Sequence, residues 1–119
     1  MKDEVFIELL KTFIPEMEIS VFGGGVLAKF KHSDEFTIKM QNGSVIVPYD
    51  LTYKYSNKSE DYCIRSINQC GAITDGWNEN VLLQDVSVDE LKQHLIRIHK
   101  KYLTLLSEIK KVKFASDFE

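Results

Sequence analysis

Apolar residues fall at helical spacing from Lys2 to Ile14, where Val5, Phe6, Leu9, Leu10 and Phe13 recur every three or four positions. Pro15 cannot continue such a helix, so a first helix ending near Ile14 is predicted. The period then changes. Met17, Ile19 and Val21 alternate with Glu16, Glu18 and Ser20, which is the pattern of a strand with one face on a core. Gly23, Gly24 and Gly25 interrupt it, and Val26, Ala28 and Phe30 resume it, so a hairpin closed by the glycines is expected. A third alternation, Phe36, Ile38 and Met40, runs into Asn42-Gly43 and then the β-branched run Val45 to Val47. Asn-Gly between two such runs predicts a type I′ hairpin, because both residues tolerate the positive φ that this turn requires.

The middle of the chain is less regular. Pro48 removes a ladder donor, and Leu51, Tyr53 and Tyr55 extend the alternation beyond it. Asn57 and Glu60 have capping-box spacing, and Cys63, Ile67 and Cys70 fall on one helical face before Gly71, which predicts a short helix over 58–70. The alternative is a strand from Tyr62 to Ile67 paired with 51–55. Residues 71–86 carry Asp75-Gly76, Trp77 and an apolar patch at Val81-Leu82-Leu83 that reads either as a short strand or as a packed loop.

Ser87 and Glu90 form a second capping box, with Val86 and Leu91 placed as a hydrophobic staple. The positions Val88, Leu91, Leu95, Ile98, Tyr102, Leu105, Ile109 and Val112 then repeat with alternating spacings of three and four, an unbroken heptad seam over 88–113. Ile96, Leu103 and Leu106 widen it. The reading is therefore one α+β domain over 1–119: an N-terminal helix, an antiparallel β-meander of three to five strands, and a long C-terminal amphipathic helix packed on the sheet. A helix of that length rivals the width of a domain of this size, so its seam is expected either to lie along the body or to self-associate through Leu91, Leu95, Ile98, Tyr102, Leu105 and Ile109, giving a homodimer.

Charge sharpens this division. Residues 1–86 hold eight Lys/Arg against thirteen Asp/Glu, whereas 87–113 hold seven against three, so a basic helix closes an acidic body. Complementarity to that body and to the helix dipole accounts for much of the basic excess, and nucleic-acid binding is the alternative, with Lys92, Arg97, Lys100 and Lys101 as phosphate contacts. Lys outnumbers Arg thirteen to two, a bias that points to an AT-rich genome such as that of a low-GC bacterium or its phage. Neither a signal peptide nor a membrane-spanning run is recognisable, so a cytoplasmic chain with Cys63 and Cys70 reduced is expected.

Local chemistry is sparse. Cys63, Cys70, His94 and His99 invite a zinc reading, yet on a helix the two thiolates would lie about two turns apart, too far for one tetrahedron. The glycine run lacks the following Lys-Ser/Thr of a phosphate loop. Glu108-Ile109-Lys110 shares letters with a nuclease signature without its further carboxylates, and no nucleophile-and-base motif is present. No metal, cofactor or catalytic residue is therefore expected, although an enzyme with a dispersed site leaves no local motif. Tyr49, Tyr53, Tyr55 and Tyr62, with Trp77, form an aromatic-rich stretch suited to anchoring a partner, with Tyr53, Tyr55, Tyr62 and Trp77 as the expected contacts. The function expected on these grounds is that of a small protein-binding module of the inhibitor, immunity-protein or adaptor kind.

Overall fold

The computed structural model describes residues 1–31, 33, 35, 37–74 and 81–116. Helix α1 (Asp3–Phe13) is followed by strands β1 (Met17–Phe22), β2 (Gly25–Phe30), β3 (Ile38–Gln41), β4 (Ser44–Val47), β5 (Asp50–Ser56), β6 (Asp61–Ile67), β7 (Ile73–Thr74) and β8 (Val81–Leu83), and helix α2 (Val88–Ser116) closes the chain. The architecture is the expected α+β arrangement, but the strands form two antiparallel sheets. One has the order β1-β2-β3-β4-β8 and the other β5-β6-β7.

The two hairpins of the first half follow from local chemistry. Asn42 and Gly43 both adopt positive φ, 54° and 80°, as a type I′ turn demands. In the glycine run only Gly23 and Gly24 form the turn. Gly25 already pairs with Phe22 and Gln41, and a Cβ there would stand 2.2 Å from the Met40 carbonyl oxygen. Its hydrogen thus allows β2 and β3 to approach, a role distinct from turning the chain.

The helix expected over 58–70 is not formed. Residues 61–67 are β6, paired with β5 in the register Tyr55↔Tyr62, Tyr53↔Ile64 and Leu51↔Ser66, so the alternative pairing is the correct one. The period of two wins because it places Leu51, Tyr53, Tyr62 and Ile64 on one core-facing side, whereas the helical set Cys63, Ile67 and Cys70 buries only Cys63. Gly71 does take positive φ, 84°, but in a turn rather than at a helix end, where Asn68 Oδ1 accepts the backbone N–H groups of Cys70 and Ala72. Val81 to Leu83 form the short edge strand β8; Asp75-Gly76 and Trp77 lie outside the described residues.

The start of α2 is capped as expected: Ser87 Oγ accepts the Glu90 backbone N–H at 3.1 Å, and Val86 and Leu91 are both buried. With 29 residues α2 is roughly 43 Å long, and in a molecule measuring 50 × 26 × 25 Å it can only run along the long axis. Of the two arrangements expected for the seam, lying along the body or self-association, the fold shows the first for the six residues named. Leu91, Leu95, Ile98, Tyr102, Leu105 and Ile109 are 0–6% exposed and belong to the same core as Phe6 and Leu10 of α1, Val26, Ala28 and Phe30 of β2, Ile38 and Met40 of β3, and Leu51 and Ile64 of the second sheet. The long helix therefore bridges both sheets and α1, and these six residues are taken up by the chain's own core, while Val88, Ile96 and Leu103 of the wider stripe are 43–48% exposed.

Candidate binding groove beside the closing helix

Pro48 is buried where β4 leaves the first sheet, and Tyr49 leads directly into β5 of the second. This change of sheet leaves a step that α2 crosses. Arg97 fastens it: Nη1 donates to the Tyr49 carbonyl at 2.7 Å and Nη2 to the Pro48 carbonyl at 3.1 Å. The two arms of the planar guanidinium fork thus hold two successive carbonyls at once. Nη2 also lies 3.3 Å from His94 Nδ1, which must accept, so the His94 proton resides on Nε2.

Around this clamp lies an open groove of about 770 Å³, lined by Tyr49, Asp50, Gln69, Val81, His94, Arg97, Lys100, Lys101 and Thr104. His94, Arg97, Lys101 and Thr104 are spaced three, four and three apart, so they form one flank of α2 beside its buried seam. Tyr49 lines the groove as well and is 51% exposed. Arg97, Lys100 and Lys101 have no carboxylate partner among the described residues. The ion pairs there join Lys29 to Glu18, Arg65 to Glu35, His99 to Glu16 and Lys113 to Asp61. Pairing between helix and body thus operates at Lys113, 2.6 Å from Asp61, and at His99, 2.9 Å from Glu16, and not at the groove cations.

The four cations read as phosphate contacts are divided by this geometry. Lys92 lies on the other flank of α2, its Nζ 5.5 Å from the centre of the Phe13 ring, while Arg97, Lys100 and Lys101 share the groove. Of the aromatic set, Tyr53 and Tyr62 pack partly into the core, and each of Tyr53 and Tyr55 meets Tyr62 edge to face. Tyr55 is half exposed, and none of the three lines the groove. Trp77 lies outside the described residues. Tyr49 belongs to the aromatic-rich stretch singled out in the sequence, whereas Asp50, Gln69 and Thr104 were missed by sequence reasoning; the 3-4-3 polar stripe starting at His94 is the signal that could have found the flank.

The zinc set is likewise dispersed. Cys63 is on β6, Cys70 in the turn after it, and the two histidines lie on opposite flanks of α2, His94 against Arg97 and His99 against Glu16. Among the described residues no three His, Cys, Asp or Glu side chains gather as a metal site, and no helix is long and apolar enough to cross a membrane.

Two groups flanking α2 make the fold sensitive to acid. Burial holds the His94 imidazole below its ordinary value of 6.5, and the Arg97 charge adds to this against an opposing pull from Glu90. For Glu16, burial pushes the carboxyl up, but hydrogen bonds from His99 and its own backbone, with the charges of His99 and Lys31, outweigh it and hold it below 4.5. A depressed folded pKa means that the unfolded chain binds the proton first in both cases. Stability is therefore expected to fall in two steps as pH drops, first below 6.5 through His94 and then below 4.5 through Glu16. Urea midpoints measured across pH should lose the first step in His94→Gln and the second in Glu16→Gln; both groups are partly solvated, so each step is small.

Comparison of the chain with known families, curated proteins and solved structures gave no match.

Proposed function

We propose that this domain works by binding another protein through the groove beside α2, without chemistry of its own. The observation that carries this reading is the gathering of Arg97, Lys100 and Lys101 in an open recess, with no carboxylate partner among the described residues. Cations left unneutralised beside an exposed ring, a hydroxyl and an amide are a poor arrangement for stability alone and a good one for recognition. The inhibitor, immunity-protein and adaptor classes all fit a small rigid domain of this kind.

Tagged protein is expected to retain a stoichiometric partner from lysate of its native host after nuclease treatment, and the double variant Lys100→Glu/Lys101→Glu, with its melting temperature unchanged within a few degrees, to lose it. Retention by the double variant would remove the groove from the reading. The second reading, nucleic-acid binding, draws on the same three cations and on Tyr49 as a stacking platform. It requires that what co-purifies disappears with nuclease and that affinity falls steeply with salt.

A further inference from the structure

We propose that the groove receives an extended acidic segment of the partner, whose carboxylates meet Lys100 and Lys101 while an apolar side chain lies against Tyr49 and Val81. This rests on the protein-binding reading above and specifies its ligand. The argument begins with Arg97. Both of its Nη groups are already spent on the Pro48 and Tyr49 carbonyls, so the guanidinium shapes the groove and is unavailable as a two-pronged anion clamp. Arg97 is a positioning residue. The cations left to a ligand are the two lysines, which act as point charges without a demand for planar geometry and so suit carboxylates presented on a flexible chain.

Extent and sign argue against a long polyanion. From Arg97 to Lys101 the helix rises about 6 Å, a track for no more than about two phosphates, so a longer nucleic-acid strand would have to continue past the lysines. Asp50 stands in the groove wall, its Oδ1 accepting the Leu51 N–H at 2.8 Å, and residues 1–86 carry a net charge of −5. A continuous polyanion would run from the lysines into that repulsion. A segment with one or two acids would not, and its backbone N–H groups and apolar side chains find acceptors and surface in Asp50, Gln69, Tyr49 and Val81. The volume of about 770 Å³ is that of a site for a few side chains.

The test is an amide-shift titration of the full-length ¹⁵N-labelled protein, which detects even millimolar binding. Three probes are compared: a ten-residue Gly/Ser peptide carrying two Glu beside one central Leu, the same peptide with Gln for each Glu, and a ten-nucleotide oligothymidylate. Saturable shifts confined to Tyr49–Leu51, Gln69 and Arg97–Thr104 are expected with the Glu peptide. Its affinity should exceed that of the Gln peptide by about tenfold, and Lys100→Glu/Lys101→Glu should lose a similar factor. Equal response to both peptides, shifts elsewhere, or no response would overturn the acidic segment; stronger binding of the oligonucleotide at the same amides would overturn it in favour of nucleic acid. The lysate experiment separates these failures from failure of the parent reading, since a nuclease-resistant partner that still depends on Lys100 and Lys101 leaves protein binding intact.

Discussion

Leu95→Asp is expected to leave no folded protein at any concentration, while Lys100→Glu, five residues further along α2 and exposed, folds normally. Leu95 is 0% exposed within the chain alone and lies in a core shared by α1, both sheets and α2. Truncating such a leucine to alanine costs about 3–5 kcal/mol by itself. A carboxylate adds desolvation with no partner in reach, so the sum approaches the whole stability of a domain of this size, about 5–15 kcal/mol. Near-ultraviolet circular dichroism over a hundredfold range of concentration checks this. If the variant instead stayed folded as a monomer while the native chain proved dimeric, the seam would have to be returned to an interface between copies.

That expectation illustrates what the linear pattern can and cannot say. The heptad periodicity of α2 is plain in the sequence because side chains three and four apart share a face whatever they pack against. Which surface fills that face is a tertiary fact. The 3-4 spacing of a two-stranded coil and that of a helix lying across a sheet are the same string of letters, and only the arrival of Val26, Phe30, Leu51 and Ile64 beneath the seam decides between them. The Asn42-Gly43 hairpin was legible for the opposite reason. Its turn type is dictated by two residues' own φ preferences and needs nothing distant.

Residues 58–70 show where local signals mislead. Asn57, Glu60 and Gly71 are each reasonable helix punctuation, yet Glu60 takes a positive φ of 55° in the β5–β6 turn and Gly71 one of 84° in the turn after β6. The same residue types serve turns because the property they offer, backbone freedom or a short polar side chain, is the same. Pairing with Leu51, Tyr53 and Tyr55 supplies the deciding energy, through cross-strand contacts such as the edge-to-face meeting of Tyr55 and Tyr62 at 5.4 Å. The groove was still less legible. Its walls come from residues 49–50, 69, 81 and 94–104, and it exists because the chain changes sheets at Pro48 and α2 spans the step. Charge asymmetry pointed to α2 as the basic element, but only the structure separates Lys92, resting over Phe13, from the cations that share a recess.

The first sheet is tied to α2 by the stack of Phe30 on Tyr102, with ring centres 4.1 Å apart and planes inclined by 11°. Phe30 is 0% and Tyr102 2% exposed, so the pair is a full desolvated aromatic contact between β2 and the middle of the helix. Phe30→Ala is expected to lower the free energy of unfolding by about 3–5 kcal/mol, through lost transfer energy and the cavity left beside Tyr102. In a chain of this length that corresponds to a fall in melting temperature of roughly 10–20 °C. Because the cavity opens under α2 and not at the groove, amide shifts of Tyr49 and Lys100 should stay near their native positions in whatever fraction remains folded. The phenol of this pair also bears on alkaline stability. Burial pushes the Tyr102 phenol above its ordinary value of 10.0, with the Glu16 charge acting in the same direction, so the folded chain keeps this proton after the unfolded chain has lost it. Stability must then decline as pH rises past 10.0, and Tyr102→Phe should flatten that decline while preserving the stack; a decline as steep as that of the native chain would mean that other groups set the alkaline limit.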